Sequence, residues 1–126
     1  MILNSIFCIA LTLYHEARGE SLTGQMAVAQ VIINRVKSDE YPNTACQVVT
    51  QRDQFQWHWD DIPDWPPEDK KAWNRVWIVA EIAPLWKDVT NGSKWYHSLK
   101  VSPEWATPEF KQIGNHRFYN AIYEKR

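Results

Sequence analysis

The chain predicts a mainly helical α+β fold with one small β or extended element, on three observations. Two apolar stretches near the N-terminus carry helical periodicity. A third helical pattern follows a proline-rich loop, and the segments that alternate polar and apolar residues are all short. The 126 residues show no repeat, low-complexity tract or linker, so residues 1–126 read as one domain with one core.

The first helix is expected from Asn4 or Ser5, either of which can cap it, to Arg18, with Gly19 as its stop. Ile6, Ile9, Ala10, Leu13 and Ala17 recur at helical spacing and make its apolar face. The run lacks a basic leader and a small-residue cleavage site, and it is too short to cross a bilayer. It reads as a core helix of a mature protein, with no export signal and no stable membrane insertion. Ser21 or Thr23 caps a second helix from Gly24 to Lys37. That helix is apolar nearly all round, as a buried central helix is. Asn34 and Arg35 form its polar end, with Arg35 placed to pair with Glu20 or another carboxylate.

Residues 38–67 read as irregular, with Tyr41-Pro42-Asn43 as a turn and a short helical turn from Ala45 to Val49. Gln54-Phe55-Gln56-Trp57-His58-Trp59 alternates polar and apolar residues and suits an extended segment lining a groove. Pro67 at the first helical position opens a third helix reaching about Ala83, with Trp73 and Trp77 at i, i+4. Asn91-Gly92 is a turn, Trp95 to Leu99 is extended, and Phe118 to Tyr123 closes the chain.

Composition excludes several function classes. A net charge of −1 offers no field for nucleic acid. Cys8 and Cys46 are too few and too far apart for a zinc knuckle or a disulfide framework, and Cys8 reads as a small buried hydrophobe. Asp60, Asp61 and Asp64 lack the spacing of a calcium loop. His15-Glu16 fails the metallopeptidase pattern because Gly19 stands where a second histidine belongs. His58, His97 and His116 are scattered, as ordinary hydrogen-bonding histidines are, so no metal or other cofactor is expected. Eight tryptophans are many for this length, and indole faces stack on sugar rings. Trp73, Trp77 and Trp86 read as core. Of Trp57, Trp59, Trp65, Trp95 and Trp105, two or three are expected to line a cleft. A monomer is the expectation at this size.

Glu16 lies in Tyr14-His15-Glu16-Ala17-Arg18-Gly19-Glu20, on the edge of the apolar stripe with His15 toward the far side. A half-withdrawn carboxyl at the negative end of a helix dipole has a raised pKa, as a general acid for glycosidic cleavage requires. A structural ion pair with Arg18 is the other reading, and this geometry alone favours it.

Several separated stretches then agree with one family. The Tyr14 to Glu20 motif and Gly24-Gln25-x-Ala27-Val28-Ala29-x-Val31-Ile32-x-Asn34-Arg35-Val36 are two of them. Tyr41-Pro42, Gln54-Phe55-x-Trp57, Tyr96-His97, Val101-x-Pro103-x-Trp105-Ala106 and Ile113-Gly114-Asn115-His116-x-Phe118-Tyr119 follow in order. In this the chain resembles the spore-cortex-lytic cell-wall hydrolases, the SleB-like family, from about Leu11 to Tyr119. The resemblance implies a compact, lysozyme-like (lytic-transglycosylase-like) catalytic domain acting on peptidoglycan glycan strands, with Glu16 as the acid and no metal. It also implies that Trp57, Tyr96, His97, Trp105 and Tyr119 bind the sugar or orient Glu16.

Without an export signal or wall-binding repeats, the chain resembles a phage endolysin held in the host cytoplasm until a holin releases it. Gly92-Ser93-Lys94-Trp95 departs from the family pattern, which puts subsite preference in doubt if that loop meets the glycan. Cleavage by a lytic transglycosylase needs Glu16 alone. A muramidase needs a second carboxylate, for which Glu20, Asp53, Asp60 and Asp61 are candidates. A zinc-dependent amidase using His97 and His116, and a non-enzymatic tryptophan-lined glycan-binding module, are the rival classes.

Overall fold

A computed structural model describes residues 3–51 and 67–124. Among them the order is α1 (Leu3–Glu16), α2 (Leu22–Val36), α3 (Ala45–Val49) and α4 (Lys70–Ile82). A 3₁₀ turn (Ala83–Leu85) and the strands β1 (Trp95–Ser98), β2 (Lys111–Ile113) and β3 (His116–Tyr119) follow. The fold is mainly helical with a three-stranded antiparallel sheet in the order β1-β3-β2.

The helices form where apolar periodicity can be buried. Cys8 through Tyr14 of α1 are all buried, so α1 is covered on every side by α2, α3 and α4. Residues 24–33 of α2 are buried without interruption, and α2 packs on α3, α4 and the sheet. Phe118 of β3 carries the core into the sheet layer. Ser21 caps α2 by accepting from Gly24 N–H at 3.2 Å, and Thr44 caps α3 by accepting from Gln47 N–H at 3.2 Å. No helix among the described residues is long and apolar enough to cross a membrane.

Several boundaries and roles differ from expectation. α1 begins at Leu3, so Asn4 and Ser5 lie inside its first turn, and it ends at Glu16. Gly19 does not adopt a left-handed conformation; positive φ occurs at Asn91, Gly92 and Gly114. The reason lies in the tight turn that leads straight from α1 to the Ser21 cap, with Glu20 N–H bonded to the Ala17 carbonyl at 3.0 Å. α4 starts at Lys70, three residues beyond the expected first position at Pro67, because Asp69 supplies the capping oxygen, accepting from Ala72 N–H at 3.0 Å. Trp86 is 60% exposed: Pro84 ends α4, and the 3₁₀ turn swings Trp86 off the core.

Cys8 and Cys46 are joined in a disulfide across 38 residues, with Cα atoms 5.2 Å apart. The expectation of a free buried Cys8 fails because α3 folds back against α1. Spacing along the chain carries no trace of that contact.

Candidate active site

Glu16 ends α1 and is half-buried, with Oε2 withdrawn from solvent. The backbone that carries it is held from α2. Gln25, fully buried, donates from Nε2 to the carbonyls of Ala17 and Arg18 at 3.2 and 3.3 Å. Those carbonyls belong to the helix end, where intrahelical donors run out, so one amide finishes α1 and ties it to α2. Arg18 lies with its guanidinium carbon 4.1 Å from the centre of the Tyr14 ring.

Arg35 and Tyr96 bring charge and a hydroxyl to Glu16. Arg35 is 4% exposed, donates from Nε to the Lys94 carbonyl at 2.7 Å, and stacks 4.8 Å from the Tyr41 ring centre. Burial lowers its pKa, while Tyr41, Tyr96 and Glu16 oppose that by favouring the cation. Tyr96 has its hydroxyl out of contact with water. Burial first, then the charge and hydrogen bonding of Glu16, push that hydroxyl well above the usual phenol range, with Arg35 pulling the other way.

The polar edge of α2 decides where Tyr96 stands. Gln30 donates to the Lys87 carbonyl and accepts from Val89 N–H, both at 2.8 Å. Asn34 donates to Asp88 Oδ2 at 2.9 Å and to the Ser93 carbonyl at 3.0 Å. With Arg35 on Lys94, three side chains of one helix fix the loop that feeds β1. Ser93 of this loop is fully buried, with Oγ 2.9 Å from both the Thr90 carbonyl and Asn120 Oδ1. Within the departure at Gly92-Ser93-Lys94-Trp95, Ser93 is therefore a packing residue, and the Lys94 carbonyl is the acceptor that holds Arg35.

Glu20 occupies a second corner, and its partners are not the arginines expected. Oε1 accepts from Asn115 N–H at 2.9 Å, Oε2 accepts from Asn115 Nδ2 at 3.0 Å, and His116 Nδ1 lies 3.4 Å from Oε1. Gly114 permits this: its φ is +58°, and a Cβ there would lie 2.6 Å from Glu20 Oε1. Burial works to raise the Glu20 carboxyl, but the Asn115 bonds and His116 outweigh it and hold it below the usual range. Burial also pushes His116 down; Glu20 opposes that shift and His97 adds to it. The His116 ring stands edge-on to Tyr96, centroids 5.3 Å apart, so the two corners touch through Tyr96.

His97 Nδ1 lies 2.7 Å from the Ser98 carbonyl, which only accepts, so Nδ1 carries the proton. Nε2 then accepts from the Tyr119 hydroxyl at 2.6 Å. Trp105 stands edge-on to both rings, centroids 5.6 Å from His97 and 5.2 Å from Tyr119. Among the described residues, no group of three or more His, Cys, Asp or Glu is arranged to hold a metal ion.

These side chains surround an open cleft of about 620 Å³, lined by His15, Glu16, Glu20, Tyr96, His97 and Trp105 among others. Of the residues expected at the site, Glu16, Tyr96, His97 and Trp105 meet there. Tyr119 is 1% exposed and reaches the cleft through His97 and Trp105. Trp57, together with Trp59, Trp65, His58, Asp53, Asp60, Asp61 and Asp64, lies outside the described residues. Gln25 and Asn115 went unread as site residues. A glutamine set among the buried apolar residues of α2 is the available signal for the first, shared with Gln30; no local signal points to the second.

A helical layer backed by a small antiparallel sheet, with a half-buried glutamate at a helix end over an open cleft, defines a lysozyme-like domain. The chain belongs to the cell wall hydrolase family, whose model matches residues 19–119. It is 34% identical over 120 residues to a spore cortex-lytic enzyme of Bacillus cereus, covering 91% of this chain and 44% of that one. It is 31% identical over 119 residues to the Bacillus subtilis spore cortex-lytic enzyme, covering 91% and 37%. The chain thus spans less than half the length of these relatives. Among solved structures, the catalytic domain of the Bacillus cereus SleB protein superposes with a TM-score of 0.69 at 30% identity, covering 93% of this chain and 90% of that one. The catalytic domain of the germination-specific lytic transglycosylase SleB from Bacillus anthracis gives 0.71 at 31% identity, covering 94% and 95%.

Proposed function

We propose that this chain is a single catalytic domain that cleaves peptidoglycan glycan strands between N-acetylmuramic acid and N-acetylglucosamine. It acts as a monomeric lytic transglycosylase with Glu16 as its one acid and base. The observation that carries this reading is the contrast between the two carboxyls lining the cleft. Both oxygens of Glu20 are committed to Asn115. Glu16 meets a phenol hydroxyl and the charge of a buried guanidinium instead. The lytic transglycosylase activity named for the structurally similar Bacillus anthracis domain supports the same reading.

In the reaction, protonated Glu16 gives its proton to the glycosidic oxygen as positive charge develops at the muramic acid C1. The Tyr96 hydroxyl and Arg35 stabilise the carboxylate that this leaves. That carboxylate then takes the proton of the muramic acid 6-hydroxyl, whose oxygen bonds to C1. The products are a free 4-hydroxyl and a 1,6-anhydro end, with no water consumed. His97 and Trp105 line the sugar path, and Tyr119 holds His97 in place.

Hydrolysis by water needs a second carboxylate across the cleft, and the engagement of Glu20 disfavours it in that part. A phage endolysin admitted to the wall by a holin is the proposed setting, with cortex lysis, the role named for the relatives, as the alternative. Lysis of an expressing cell only when a holin is co-expressed supports the endolysin setting. Mass spectrometry of fragments released from purified peptidoglycan tests the chemistry. Anhydro-muramic ends are expected; reducing ends mean a muramidase, and free stem peptides on intact strands overturn the reading.

A further inference from the structure

The cross-strand register places His97 opposite Arg117, Trp95 opposite Tyr119 and Gln112 opposite Arg117. These side chains therefore share one face of the sheet, the opposite face from that of core residue Phe118. Chain from Leu99 to Phe110 folds over this outer face and leaves a hollow of about 750 Å³. Arg117 stands in it with its guanidinium carbon 4.4 Å from the Phe110 ring centre and Nε 3.4 Å from Gln112 Oε1. The ring and the amide orient the guanidinium without neutralising it. The ion pairs among the described residues, Lys94 with Glu40 and His116 with Glu20, leave it without a carboxylate. An oriented planar cation of this kind suits bidentate recognition of a carboxylate.

The hollow is not isolated from the cleft over Glu16. His97, Leu99, Val101 and Pro103 line both spaces, so the two meet along one rim. A ligand whose backbone runs through the cleft can hang a branch over that rim, and the branch finds walls of mixed polar and apolar character with one cation, Arg117.

We infer that the hollow is a binding site for the acidic peptide stem of the muramyl residue, with Arg117 taking a stem carboxylate. This rests on the reading that the cleft holds a glycan strand. It adds that the enzyme distinguishes stem-bearing from stem-free strands, and that the outer face of the sheet makes the distinction.

Affinity measured by calorimetry tests this apart from turnover. The probes are a disaccharide–tetrapeptide muropeptide and the same disaccharide after amidase removal of its peptide, bound to protein carrying Glu16→Gln. The stem-bearing probe is expected to bind about tenfold or more tighter, the range of one charge-assisted hydrogen-bonded pair. Adding Arg117→Gln is expected to collapse that ratio toward one, with Arg117→Lys restoring part of it. Gln112→Glu, which sets a carboxylate of the protein's own beside the guanidinium, is expected to collapse it as well. A purely structural effect of Arg117 would weaken both probes alike and leave the ratio standing. An unchanged ratio, or an absent preference for the stem, overturns the inference. Failure of the active enzyme to cleave strands of either kind overturns the glycan-strand reading instead, and the binding ratio still decides the role of the hollow.

Discussion

Glu16 and Glu20 line the same cleft, and the two corners they occupy differ in what surrounds the carboxyl. Around Glu20 the β2–β3 turn closes in from a distant part of the chain, and Asn115 alone donates to both oxygens. Around Glu16 the neighbours are the Tyr96 hydroxyl and the charge of Arg35. A carboxylate with its acceptor sites filled is a joint between elements, and moving a proton onto it breaks the joint. A carboxyl that meets a phenol hydroxyl and the charge of a guanidinium is set to change protonation, its carboxylate form stabilised by both. Proximity to the cleft thus tells less about a residue than what its oxygens are already doing.

The largest test of this difference is Glu16→Gln, which keeps size and shape and removes the acid. Turnover of peptidoglycan is expected to fall by at least ~100- to 10,000-fold, the usual worth of a positioned acid–base group, with the melting temperature little changed. Near-normal turnover would erase the distinction. Glu20→Gln is expected to do the reverse. It weakens bonds to a charged acceptor, costs roughly 1–3 kcal/mol, lowers the melting temperature by several degrees, and leaves turnover of the folded protein within tenfold. If Glu20→Gln instead matches Glu16→Gln in activity, Glu20 is the second carboxylate and the hydrolytic mechanism gains.

The glycines sharpen the same contrast at smaller scale. Gly114→Ala demands a left-handed alanine and drives a Cβ into Glu20, and is expected to cost about 1–2 kcal/mol in denaturant unfolding. Gly19→Ala meets nothing within 4 Å at an ordinary φ and is expected to cost nothing, or to gain up to about 1 kcal/mol. Equal losses at the two positions would mean that the Glu20 corner is not tightly built.

Acidification supplies the gentlest probe. Glu20 is held low, so the stability of its ionised form is complete above 4.5 and drains as pH falls through the lower folded value. His116 is also held low, which favours its neutral form. That contribution is complete above 6.5 and drains as pH falls from there toward the folded value. Both slopes have the same sign, so the melting temperature is expected to decline steadily below pH 6.5. His116→Gln should flatten the upper part of the decline, and a melting temperature that rises on acidification would contradict both assignments.

What was legible in the sequence divides along the same line. Apolar periodicity is local, so α1, α2, α4 and their burial could be read directly, and the extended reading of Trp95 to Leu99 covers β1. A helical wheel puts Glu16 on the edge of the apolar stripe, but that geometry alone favours an ion pair with Arg18, and only the family resemblance singles Glu16 out as the acid. The bond from Glu20 to Asn115 spans 95 residues and the disulfide spans 38, and neither leaves a periodicity behind. Gly19 and Gly114 look alike in a sequence; their roles part only when Glu20 arrives beside one of them. Trp86 read as core because indole is large and apolar, but Pro84 redirects the chain before it can pack.

The cross-link between Cys8 and Cys46 bears on the lifetime of the molecule. Closing that loop removes conformations from the unfolded chain, by roughly 2–4 kcal/mol for links of ordinary length, and adds no new contact at the cleft. Reduced and oxidised chains would therefore cut equally well while folded, yet open at very different frequencies. Such bonds persist outside a reducing cytoplasm. Made in one, the protein would be open to proteases for as long as it stayed there, and would become durable on reaching the wall.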